Sequence, residues 1–213
     1  MAIGSKTVDA LTFDPVKLRL DQAVVAHAPA FISKPVSITV QNGDLIQLTG
    51  ANGVGKSTLL RAIAGFISLH TGMLLYKPQE NVQPQRVYLG TKPSFHQSYT
   101  VKQQLKLWHQ TYTPPESVNH YLNLFDLESI QSSPIKHLST GQKQRVALVK
   151  VLMSNKPIWL LDEPFNNLDT PSKTQFASII NDHLKKGGIV IYTSHEKILG
   201  LSPQQINLDP GSK

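Results

Sequence analysis

The sequence predicts an α/β fold: a mainly parallel core sheet with flanking helices, an antiparallel β subdomain and a helical insertion. Three observations carry this. Leu45-Ile46-Gln47-Leu48-Thr49 runs straight into a glycine-rich loop, and the loop into a segment with Leu59, Leu60, Ile63, Ala64 and Ile67 on one helical face. Ile158-Trp159-Leu160-Leu161 and Ile189-Val190-Ile191-Tyr192 are apolar without alternation, the pattern of parallel strands covered on both faces. Between them, Thr170 followed by Pro171 reads as a helix start and Gly187-Gly188 as its end.

Taken in order, residues 1 to about 17 are polar and mixed, an extension or a first edge strand. Val36-Ser37-Ile38-Thr39-Val40 alternates, and with the turn Asn42-Gly43-Asp44 and the strand Leu45 to Thr49 it predicts a β-hairpin. Residues 95 to 135 are polar, broken at Pro114-Pro115, with Tyr121, Leu122, Leu124, Phe125 and Leu127 marking a short helix; this is the helical insertion. The 213 residues suit one domain with a substantial core. Within it, about 18–92 and 151–205 form the core with its β subdomain, and about 93–150 the helical part.

There is no cysteine, so thiolate chemistry is excluded. The longest apolar runs have four residues, far short of a membrane-spanning helix. The first 15 residues resemble no signal or transit peptide, which makes the cytoplasm the default expectation. The formal net charge is +7, and its distribution is uneven. Residues 1–50 hold four basic and four acidic side chains, residues 51–150 eleven and four, and residues 151–213 six and six. With no run of five like charges and no basic patch interleaved with aromatics, this argues against a nucleic-acid partner.

Gly50-Ala51-Asn52-Gly53-Val54-Gly55-Lys56-Ser57 matches G-x-x-x-x-G-K-[ST], placed between a strand and a helix as a phosphate-binding loop must be. Glycines let successive backbone N–H groups point at phosphate oxygens, and the helix N-terminus adds favourable dipole charge. Lys56 would pair with β and γ phosphates and Ser57 would ligate magnesium, with Thr58 beside them in the nucleotide site. Asp162, at the end of a buried strand, is placed for the magnesium shell, and Glu163 next to it is the candidate general base. Leu138-Ser139-Thr140-Gly141-Gln142 opens a further helix, Ser139 and Gln142 forming a capping box.

Together these segments resemble the nucleotide-binding subunit of ABC transporters, a P-loop NTPase family whose signature is Leu-Ser-Gly-Gly-Gln. Gly141 lies 21 residues before Asp162, as in that family. The resemblance covers roughly residues 20 to 200 and implies an ATP hydrolase using ATP and Mg2+. Residue by residue, it implies that Asn167-Leu168-Asp169 crosses a dimer interface and that His195 contacts the γ phosphate. It also implies that Ser139, Gly141 and Gln142 close over nucleotide held by a second copy, and that adenine stacks near His27, with Phe31 as the other candidate. One position departs: Lys92 stands where the family has a magnesium-ligating Gln, and an ammonium has no acceptor. It could touch the γ phosphate instead.

Softer strings are most like the small haem-exporter ATPases of cytochrome c maturation: Leu89-Gly90-Thr91-Lys92-Pro93, the run from Trp159 to Phe165, and Gly187 to Ile191. That resemblance implies a homodimer working with integral membrane subunits on the cytoplasmic face of the inner membrane, or the matrix side if mitochondrial, in haem export or haem-chaperone release. The alternatives are an ABC ATPase subunit for another substrate, or an ATP-binding structural subunit with weak hydrolysis, the latter kept open by Lys92. His96, His109, His120 and His137 are scattered and read as surface or capping histidines, not haem ligands. Lys102, Lys106, Lys136, Lys143 and Arg145 account for much of the charge excess and are expected on a face that docks near anionic lipid.

Overall fold

A computed structural model describes residues 13–26, 33–77 and 86–209. Five strands form a wholly parallel sheet in the order β5-β6-β7-β3-β8: β3 (Leu45–Thr49), β5 (Arg86–Leu89), β6 (Ile158–Leu161), β7 (Ile189–Thr193) and β8 (Gln204–Asn207). A second, antiparallel sheet has β1 (Lys17–Val24) between β2 (Val36–Gln41) and β4 (Thr71–Lys77). The helices are α1 (Lys56–Ala64), α2 (Val101–Tyr112), α3 (Val118–Leu124), α4 (Thr140–Met153) and α5 (Thr170–Lys185).

The central strands are buried along their whole length, and their side chains alternate between two cores. Ile158, Leu160, Ile189 and Ile191 face α1 and the antiparallel sheet, packing with Leu59, Leu60, Ile63, Leu18 and Val40. Trp159, Leu161, Val190 and Tyr192 face the other way, packing with α4, α5 and α2 through Val146, Val149, Phe176 and Leu105. An unalternating apolar run is thus the signature of a strand feeding two cores at once. Each such side chain, fully buried, contributes about 1.5–3 kcal/mol.

Three expectations are corrected. The predicted hairpin does not form: β2 pairs with β1, and β3 enters the parallel sheet between β7 and β8. The burial patterns give the reason, since β2 alternates and suits a sheet covered on one side, whereas four of five β3 residues are buried and need cover on both. The turn survives as a link between sheets. The Asp44 N–H donates to the Gln41 carbonyl at 3.0 Å, and Asn42 Nδ2 donates to the Gly187 carbonyl at 2.7 Å.

The expected extension or first edge strand at residues 1 to about 17 lies mostly outside the described residues; β1 begins at Lys17 and is the middle strand of its sheet. Asp169, not Thr170, caps α5: its Oδ1 accepts from the Ser172 N–H at 3.0 Å, and Pro171 falls in the first turn, where a missing N–H costs nothing. The insertion also carries a longer helix than expected, α2, opened by a capping box of Thr100 and Gln103 and burying Val101, Leu105 and Trp108 on one face.

Candidate functional site

The site is built where β3, β6 and β7 end on the same side of the parallel sheet. At the end of β3 the chain turns through Gly50, Gly53 and Gly55, all at positive φ (129°, 82° and 99°), which a side chain would strain, and Gly55 then caps α1. The ammonium of Lys56, buried in the first turn of α1, folds back over the loop and donates to the carbonyls of Gly50 (2.7 Å) and Ala51 (3.0 Å). Val54 anchors the loop in the core.

Beneath the loop lies Asp162, 3% exposed just past β6. Its Oδ1 accepts from Ser57 Oγ at 2.9 Å and from Thr193 Oγ1 at 2.9 Å. A carboxylate and a hydroxyl converging from β6 and α1 are hard oxygen donors of the kind that hold magnesium together with phosphate oxygens and water, so the residues present fit that ion. Among the described residues no group of three or more His, Cys, Asp or Glu is placed to hold a metal by protein alone.

Glu163 follows at φ 52°, with its side chain 12% exposed. Its Oε1 is 3.4 Å from His195 Nε2, which lies beyond the end of β7 and is largely exposed. Burial pushes the Glu163 carboxyl above the ordinary carboxylate range; His195 opposes this, Asp162 adds to it and Lys56 opposes it. A carboxyl tuned upward is a better proton acceptor near neutral pH.

Asn52, Gly53, Gly55, Lys56, Ser57, Thr58, Asp162, Glu163 and His195 line one cleft of about 330 Å³. The structure therefore brings together the residues singled out from three separate stretches of sequence. It adds Arg61, one turn further along α1, to the same cleft. Two more residues were missed. Thr193 binds the Asp162 carboxylate, and Asp209 Oδ1 accepts from the Ala51 N–H at 2.7 Å, steadying the start of the loop from 158 residues away. Thr193, two residues before His195, could have been flagged by position; nothing local marks Asp209.

Ser139, Gly141 and Gln142 do not line the cleft. Ser139 and Gln142 do form the capping box, with Gln142 N–H to Ser139 Oγ at 3.2 Å and Ser139 N–H to Gln142 Oε1 at 2.9 Å. Gly141 is required by its neighbour: a Cβ there would stand 2.6 Å from the carbonyl oxygen of Asn167. Lys92 is also elsewhere. It lines a separate cleft of about 240 Å³ with Phe66, Tyr88, Phe95, Trp108 and Lys150, not the one that holds Lys56 and Glu163. His27 and Phe31 lie outside the described residues.

A glycine-rich loop between β3 and α1, acidic residues past β6, a histidine past β7 and a capped helix opening on Ser139 define an ABC-type P-loop ATPase. The family profile described as ABC transporter matches residues 33–166, and the chain belongs to that family as an ATP-binding, ATP-hydrolysing transporter subunit. It is similar to the cytochrome c biogenesis ATP-binding export protein CcmA of several bacteria. The Brucella abortus protein is 34% identical over 165 residues, 75% of this chain and 76% of that one. The Rhizobium etli protein is 35% identical over 180 residues, covering 80% and 83%.

Among solved structures, an ABC transporter ATP-binding protein from Pyrococcus furiosus superposes with a TM-score of 0.76 at 26% identity, covering 90% of this chain and 97% of that one. An ATP-binding subunit of an ABC transporter superposes at 0.71 and 26%, covering 84% and 79%. Among the described residues no helix is long and apolar enough to cross a membrane.

Proposed function

We propose that the chain hydrolyses Mg-ATP as one half of a homodimer docked on integral membrane subunits, and that the work it drives is haem export or release of a haem-loaded chaperone in c-type cytochrome biogenesis. The observation that carries the catalytic part is the convergence of Lys56, Ser57, Asp162, Glu163 and His195 on one cleft. The loop N–H groups and Lys56 hold the β and γ phosphates; Ser57 and Asp162 would hold magnesium, which when bound neutralises charge on those phosphates.

Glu163 accepts a proton from the attacking water as its oxygen bonds to the γ phosphorus and the bond to the ADP oxygen breaks. His195 orients the γ phosphate from beside that carboxylate. Ser139, Gly141 and Gln142 stand outside the cleft, and the family resemblance has such a segment close over nucleotide held by a second copy; the separation supports the homodimer.

The cargo reading rests on similarity to CcmA proteins, and the membrane-docking reading on this chain's charge. Lys106 is exposed on α2, Lys136 is exposed just before α4 and Lys143 is half-buried in its first turn, cations suited to docking at the cytoplasmic face of an inner membrane. The test is the complex retrieved from solubilised membranes with this chain as bait. Membrane proteins of the cytochrome c maturation set are expected, with ATP turnover that Glu163→Gln abolishes. Recovery with transport proteins of another kind would overturn the cargo, and brisk turnover in Glu163→Gln would overturn the role of the base.

A further inference from the structure

Thr193 closes β7 with no exposed surface, and its hydroxyl sits between the two acidic residues that follow β6. Oγ1 donates to Asp162 Oδ1 at 2.9 Å and accepts from the backbone N–H of Glu163 at 2.8 Å. A hydroxyl has one proton, so only one arrangement satisfies both contacts: the proton points at the carboxylate and a lone pair takes the amide. The Asp162 oxygen involved is the one that also accepts from Ser57 Oγ, so two hydroxyls from β7 and α1 fix the carboxylate from two directions.

The amide matters for a second reason. The chain leaves the sheet here: the Asp162 N–H still reaches the Leu89 carbonyl of β5, but the next residue turns to φ 52°, where side chains other than those of Gly, Asn and Asp are uncommon. The Glu163 N–H then has a hydroxyl as its partner where the sheet would have supplied a carbonyl. One side chain from the neighbouring strand thereby sets both the direction of the Asp162 carboxylate and the backbone turn that aims Glu163 toward His195.

We propose that Thr193 is a positioning residue for hydrolysis: through a single hydroxyl it holds Asp162 in place as a magnesium ligand and Glu163 in place as the base. It acts through these two residues and contacts no phosphate. The inference rests on the roles of Asp162 and Glu163 given under Proposed function.

Thr193→Val keeps the shape and removes the hydroxyl, whereas Thr193→Ser keeps the hydroxyl. Affinity of the full chain for a fluorescent ATP analogue is measured with and without magnesium, and turnover is measured on the membrane complex. For Thr193→Val the expected result is parental affinity within about twofold without magnesium, loss of most of the tightening that magnesium gives, and kcat lower by about 10–100-fold, as for other residues that orient metal ligands. Thr193→Ser is expected to recover to within about threefold.

Parental kcat and magnesium response in Thr193→Val overturn the proposal, as does an equal fall in the Val and Ser variants, which would make the role one of packing. Glu163→Gln is assayed alongside. If it is inactive while Thr193→Val is parental, the positioning role alone fails; if it turns over normally, the reading beneath it fails as well.

Discussion

His183 makes the stability of this protein sensitive to mild acid. The residue lies in the last turn of α5, 6% exposed, its ring stacked on Trp159 at 3.8 Å between centroids and 16° between planes, with Phe13 edge-on at 5.2 Å. Its Nε2 is 3.0 Å from the Pro157 carbonyl. Burial pushes its pKa down from the ordinary 6.5 to about 4, against the Pro157 contact and with a smaller push from Lys186. The folded protein holds the imidazole neutral while the unfolded chain takes up a proton below pH 6.5. The stability this represents is present above that value and is lost as the pH falls toward 4.

At pH 5 the unfolded form carries the proton almost fully and the folded form hardly at all, a loss of about 2 kcal/mol relative to pH 7. That is a large part of the ~5–15 kcal/mol typical of a domain. Urea unfolding at pH 7 and pH 5, on the parent and on His183→Phe, isolates the effect because all other titrating groups are shared. The parent should lose about 2 kcal/mol more than the variant between the two conditions. Parallel losses in the two proteins would refute the buried neutral imidazole as the cause.

Asp209→Ala frees the Ala51 N–H and loosens the start of the phosphate loop; ATP affinity, read by titration with a fluorescent analogue, should fall about tenfold. Gly141→Ala drives a methyl group against the Asn167 carbonyl oxygen, and calorimetry should show a destabilisation of about 1–3 kcal/mol, or several degrees in Tm. Reversing charge at both Lys102 and Lys106 should weaken flotation with vesicles containing anionic lipid by at least about tenfold, since each basic residue near such a surface contributes about 1 kcal/mol. Unchanged flotation would remove the lipid-docking role.

The grouping of Lys56, Ser57, Asp162, Glu163 and His195 was legible in the sequence because each part answers a local demand. Loop amides can face a phosphate only through glycines, a helix opening needs a Ser139–Gln142 box, and a carboxylate held at a strand end follows an apolar run. The helix α2 has local signals too, in the Thr100–Gln103 box and the spacing of Val101, Leu105 and Trp108, but the polar composition of the segment masked them and only the short helix near Tyr121 to Leu127 was expected. Pairing was not legible. Whether Leu45 to Thr49 folds back on β2 or enters the parallel sheet depends on cover from both cores, which no stretch of the strand contains. Thr193 and Asp209 belong to the site only because β7 and the segment after β8 come to rest beside β6 and the phosphate loop. The sequence by itself determined which groups could act on a nucleotide, since those requirements lie within a few residues. Tertiary structure alone decided which side chains hold those groups in place, since that depends on contacts between residues 31 and 158 positions apart.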